Sequence, residues 1–204
     1  MKNINSTVVL IFSIIIGVGL FVGVIFFVKG NKTEETVELP ILLEEFSDFE
    51  CPACGAYYPV VEKIRSEFTV EELDFKYRHF PLVSIHEYAM NSALASEAAR
   101  EQGKFEEYYD ILFENQEALT DEDLLRYASD LGLDMTKFET DLQSDVIKAR
   151  VDADIAEAEK RNYTSTPTFV LNGKRVTMSS NPEEQLRNAI QEKIDQAKSS
   201  QTTN

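Results

Sequence analysis

Glu45-Phe46-Ser47-Asp48-Phe49-Glu50-Cys51-Pro52-Ala53-Cys54 holds both cysteines of the chain, separated by two residues. The apolar run Pro40-Ile41-Leu42-Leu43 leads into it and reads as a strand. The run Ala56-Tyr57-Tyr58-Pro59-Val60-Val61-Glu62-Lys63-Ile64 leads out and reads as a helix. A C-x-x-C set where a strand gives way to a helix points to a redox centre.

The placement makes chemistry. The first helical turn has unpaired N–H groups and the positive end of the helix dipole, so a thiolate at Cys51 is stabilised there. Helix N-termini in C-x-x-C motifs bring a cysteine pKa from about 8.5 to roughly 3.5–7.5. Pro52 suits a position that needs no N–H. Cys54 falls one turn further in, more buried, where it can resolve a mixed disulfide. Asp48 and Glu50 pull the other way, because nearby negative charge raises a thiol pKa. Two blander readings compete. A zinc half-site needs two more ligands, and only His79 and His86 remain, with a spacing outside the usual H-x3-5-H. A structural disulfide across two residues closes a tiny loop and constrains the unfolded chain little. Redox catalysis fits better, and neither metal nor cofactor is expected.

Upstream, Val8–Val28 is an unbroken run of 21 residues relieved only by Ser13 and three glycines. At about 1.5 Å per residue such a helix spans about one bilayer core. A cleavable signal has a shorter apolar region, about 7–15 residues, and a small-residue cleavage site; Phe26-Phe27-Val28-Lys29-Gly30 offers none. An uncleaved anchor at 8–28 is therefore expected within the segment 1–28. Lys2 and Lys29/Lys32 balance across it, so redox chemistry alone favours an extracytoplasmic domain. Residues 29–39 read as a polar linker. The chain has 204 residues and net charge −16. Residues 1–29 carry two lysines and no acid, which leaves 18 basic against 36 acidic residues in the rest. So acidic a domain binds no nucleic acid through a basic patch.

Downstream, Ile41–Phe49 and the alternating Leu73–Phe80 read as strands. Helical patterns follow from about 87 to 161: 89–100, 104–115 with one broad aromatic face, 121–131 opened by a Thr120/Asp123 capping box and closed at Gly132, then 134–143 and 145–161. Asn172-Gly173-Lys174 between Thr168–Leu171 and Arg175–Met178 signals a hairpin. A terminal helix is expected over 182–197, then a disordered tail at 198–204. His79 and His86 read as structural, since C-x-x-C chemistry needs no base of that kind.

Five stretches in order resemble the DsbA-like thiol–disulfide oxidoreductases of the thioredoxin superfamily. They are F-S-D-F-E-C-P-A-C at 46–54, Pro59 in the helix after the cysteines, Lys76–Leu82, Glu97–Phe105 and Thr166–Lys174. The resemblance covers nearly all of 40–197. It implies an α/β thioredoxin-like fold with an inserted helical subdomain at about 86–161. It also implies a cis bond at Thr166-Pro167, with the Thr166 backbone beside Cys51 to receive an extended substrate next to Pro52 and Ala53. Glu45, six residues before Cys51, matches the buried carboxylate of such proteins and would take the Cys54 proton; strand alternation leaves Glu44 as the rival for the inward slot. The implied activity is a membrane-anchored oxidoreductase that introduces disulfides into exported proteins and is re-oxidised by a membrane redox partner. A reductase or isomerase with the same site, and a non-catalytic anchored holdase, are the alternatives.

Overall fold

The structure is a computed structural model and describes residues 37–202. The expected span 8–28 lies outside them; among the described residues no helix is long and apolar enough to cross a membrane. The described chain runs β1 (Ile41–Ser47), α1 (Pro52–Glu67), β2 (Leu73–His79), α2 (Ala89–Arg100), α3 (Phe105–Glu114), α4 (Asp121–Asp130), α5 (Met135–Leu142), α6 (Asp145–Lys160), β3 (Thr168–Leu171), β4 (Lys174–Val176) and α7 (Pro182–Thr202). This is the expected α/β order with a helical insertion between β2 and β3.

The sheet order is β2-β1-β3-β4, with β1 parallel to β2 and antiparallel to β3. A parallel neighbour needs a long crossover, which α1 supplies. The central strand is buried on both faces. Ile41 and Leu43 pack with Val61 and Ile64 of α1 and Leu186, Ile190 and Ile194 of α7. Phe46 faces the other way, into a cluster with Phe80, Ala158 of α6, Tyr163 and Val170. The hairpin is tighter than its sequence pattern implied. Lys174 already pairs with Leu171, so only Asn172 and Gly173 make the turn, at φ +45° and +77°. Two left-handed residues match the strand twist, and Asn-Gly is the pair that adopts them at least cost. Asn172 also ties the tip to β1, its Oδ1 accepting from the Leu42 N–H at 2.8 Å.

The insertion packs by pairing small with large. Ala95, Ala98 and Ala99 on α2 let Phe105, Tyr108, Tyr109, Leu112 and Phe113 of α3 approach, and this cluster continues into Phe49, Tyr77 and both cysteines. Full burial of one such aromatic contributes about 1.5–3 kcal/mol, so the aromatic face clamps the insertion onto the cysteine end of the sheet. The Thr120/Asp123 capping box is formed, and Asp134 and Ser144 cap α5 and α6.

Other boundaries differ from expectation for reasons the contacts show. β1 stops at Ser47, because Asp48 turns its side chain to the backbone N–H groups of Glu50 and Leu82. Val37 and Leu39 of the expected 29–39 linker pack against the α1–α7 core. The terminal helix runs to Thr202 through the expected tail: Ala197 is fully buried and Lys198 pairs with Glu72 at 2.8 Å, holding the last turns down.

Candidate active site

α1 begins at Pro52 with Cys51 as its N-cap in extended conformation, so the Cys51 side chain sits over the open amides of the first turn. Pro59 lies within the same helix. Cys51 and Cys54 are both free thiols. Cys54 is fully buried and Cys51 is only 7 % exposed, less open to solvent than its helix-end position implied. Pro52 and Ala53 between them are exposed. The Thr166–Pro167 peptide is cis, as the resemblance implied, and brings the Thr166 carbonyl to 3.7 Å from Cys51 Sγ. A cleft of about 520 Å³ runs on from Pro167 between Tyr57, Thr168, Arg175 and Met178.

The two sulfurs are unlike. Cys51 is lowered to about 5, chiefly because the Cys54 thiol donates to its thiolate, against burial and with help from the Ala53 and Cys54 amides; the nearby Thr166 hydroxyl also favours the anion but makes no well-formed hydrogen bond to it. Cys54 is pushed far up by burial, by that same donation and by the Glu45 carboxylate. Near neutral pH Cys51 is the thiolate and Cys54 the thiol.

Glu45 is 1 % exposed, opposite Tyr77 on β2 and Phe169 on β3. Burial raises its carboxyl to about 8. The neighbouring Ser47 hydroxyl opposes the rise but makes no well-formed hydrogen bond to it. Among the described residues neither carboxylate oxygen has a hydrogen-bond partner, and the Ser47, Tyr77, Tyr109 and Thr166 hydroxyls are likewise unpartnered. Glu44 is not a rival for this slot. It points to the other face, where it is also buried but bound by Arg78 and Arg161.

Asp48 and Glu50, expected to work against the thiolate, turn instead to the segment 82–88. Asp48 accepts from the Leu82 N–H at 2.8 Å and meets His86 Nδ1 at 2.7 Å, while Glu50 accepts from the Tyr88 N–H at 2.6 Å. His79 is a packed strand-end residue, 2 % exposed, with Nε2 2.9 Å from Glu97. Sequence reasoning missed Gln116, whose side-chain amide donates to the Phe49 and Cys51 carbonyls. A lone glutamine 62 residues past Cys54 carries no local signal that would have found it.

A family model described as thioredoxin matches residues 39–192. Curated relatives include proteins named Na(+)/H(+) antiporter NhaA 3 from Salinispora tropica, 40% identical over 138 residues, and NhaA 1 from Mycobacterium sp. (strain KMS), 40% identical over 140. The matches cover 68% of this chain but only 21% and 23% of those proteins, so the chain spans about a fifth of their length. Among solved structures, a thioredoxin-like oxidoreductase from Silicibacter pomeroyi DSS-3 aligns at TM-score 0.64 and 26% identity, covering 74% of this chain and 85% of that one. BdbD from Bacillus subtilis aligns at 0.67 and 21%, covering 79% and 90%. DsbA from Xylella fastidiosa aligns at 0.64 and 17%, covering 78% and 87%.

Proposed function

This chain belongs to the thioredoxin family, in the DsbA-like form of its fold, and on that premise we propose that it is a membrane-anchored oxidoreductase that introduces disulfides into exported proteins. The observation that carries this reading is the split between the sulfurs, Cys51 lowered to about 5 and Cys54 raised. A thiolate stabilised in the reduced protein makes the disulfide the stronger oxidant.

In the proposed cycle the Cys51–Cys54 disulfide is attacked at Cys51 Sγ by a substrate thiolate. Cys54 leaves and takes a proton from Glu45, which is protonated near neutral pH. A second substrate thiolate then attacks the substrate sulfur of the mixed disulfide and expels Cys51, a good leaving group because it needs no proton. Two substrate thiols become one disulfide, and the dithiol is left holding the two electrons. A membrane redox partner takes them; on that return step Glu45, protonated in the dithiol form, gives its proton to solvent and then accepts that of Cys54. Substrate backbone lies along Thr166 and the Pro167 cleft as an added strand, beside Pro52 and Ala53. The apolar run 8–28 supports anchoring, and so does the match to part of proteins named as antiporters.

Equilibration of the full chain with glutathione tests the direction. A potential near about −120 mV is expected, as for DsbA; one near about −270 mV, as for thioredoxin, would make the chain a reductase. Cys51→Ser should abolish thiol oxidation, and retained activity would point to a site other than this dithiol. Release of the native protein from membranes by alkaline carbonate would remove the anchor.

A further inference from the structure

Gln116 lies in the turn between α3 and α4, outside the cysteine motif and its strand. Its Nε2 donates to the Phe49 carbonyl at 2.7 Å and to the Cys51 carbonyl at 2.9 Å. One amide group thus holds the two carbonyls that bracket the entry to α1. The rest of the amide rests on Gly55: a Cβ there would stand 1.9 Å from Gln116 Oε1 and 2.5 Å from its Cδ. Glycine at 55 therefore keeps the space through which the glutamine reaches in. The turn is itself anchored. Leu119 is 2 % exposed in the aromatic core, the Tyr127 hydroxyl donates to the Ala118 carbonyl at 2.8 Å, and the Ala118 N–H donates to Asn115 at 2.9 Å.

The Cys51 carbonyl also accepts the Gly55 N–H at 3.1 Å, the bond that opens α1. A second donor on that carbonyl offsets its negative end, which belongs to the same residue as the thiolate. It also holds the peptide planes of the first turn, and with them the Ala53 and Cys54 amides that stabilise the anion. We infer that Gln116 is a positioning residue for the dithiol, the point at which the helical insertion sets the reactivity of Cys51. The inference deepens the proposed function and rests on Cys51 being the exchanging thiol.

A double-mutant cycle on the reduced full-length protein tests it, read by thiolate absorbance against pH and by equilibrium with glutathione. Gln116→Ala should raise the Cys51 pKa by about one unit and weaken oxidation of glutathione roughly tenfold, about 30 mV. Gly55→Ala should produce the same shift with the glutamine still present, because the new Cβ evicts its amide. The double variant should shift no further than Gln116→Ala, since the methyl then enters vacated space. Gln116→Met keeps the length without either donor, and carries the test if Gly55→Ala fails to fold. An unshifted Cys51 pKa in Gln116→Ala or Gln116→Met, or additive shifts in the cycle, would overturn the inference. If the wild type exchanges no disulfides the functional reading fails, yet the thiolate titration still reports on Gln116.

Discussion

Glu44 and Glu45 are neighbours on the central strand, both buried, and the fold treats them in opposite ways. Glu44 faces α6, where Arg78 donates to it twice, at 3.0 and 2.9 Å, and Arg161 approaches at 3.3 Å. Arg78 is shared with Asp154 at 3.0 Å, so two acids and two arginines close a network behind the sheet. Glu45 faces the cysteines and the aromatic face of α3, with no cation bonded to it among the described residues and its carboxyl raised to about 8. A buried carboxylate with partners stays charged; one without them keeps its proton. One face of a strand thus stores an ion-pair network, and the other buries an unpartnered carboxyl near Cys54.

The largest expected effect breaks the paired side. Arg78→Ala leaves Glu44 with Arg161 and strips Asp154 of this guanidinium, leaving it the His79 N–H at 3.1 Å, so it should destabilise the protein by about 3–4 kcal/mol, read by denaturant unfolding. A loss below about 1 kcal/mol would mean that the network is no more than a surface pair.

The orphan side should respond with the opposite sign. The Glu45 pKa is raised from 4.5 to about 8, so ionisation adds nothing to the cost of burying Glu45 below pH 4.5 and progressively more up to about pH 8. Glu45→Gln should therefore stabilise the reduced protein by roughly 2 kcal/mol at pH 7, after allowing for an unpaired buried amide, and by almost nothing at pH 4. The same variant should slow release of mixed disulfides. Destabilisation at pH 7 would show that Glu45 is charged and partnered in the fold.

Asp48 sharpens the contrast with the smallest effect, because its partner is titratable. Burial opposes protonation of His86, but the Asp48 carboxylate at 2.7 Å overcomes it and raises the His86 pKa above 6.5. The stabilisation is present in full below pH 6.5 and lost as pH rises through the raised value. His86→Ala should cost about 1 kcal/mol at pH 5.5 and less at pH 9, measured by thermal unfolding. A cost that does not change with pH would reduce the contact to packing.

Much of this was legible before the structure. The helices appeared where apolar spacing and caps placed them, to within a residue or two at most ends, because those signals act over one or two turns. Boundaries failed where a distant group intervened. Asp48 ends β1 by bonding Leu82, and Lys198 extends α7 by pairing with Glu72. The site divided along the same line. Cys51, Cys54, Thr166 and Pro167 announce themselves as short motifs, whereas Gln116 and His86 act on the cysteine end from segments with no motif.

The sequence by itself determined the dithiol at a helix start, the order of strands and helices, the Asn-Gly hairpin and the acidic character of the domain. Each depends on residue type and near spacing, which the chain states directly. Only the tertiary structure decided which of two adjacent glutamates is paired with arginine, how Asp48 and Glu50 are turned from the thiolate, and which amide holds the Cys51 carbonyl. Those depend on burial and on partners far along the chain, and electrostatics in a low-dielectric interior is set by neighbours in space. Alternation put Glu44 and Glu45 on opposite faces; the arginines that pack behind one face give Glu44 its ion pairs, and burial against the aromatic rings on the other raises the Glu45 carboxyl.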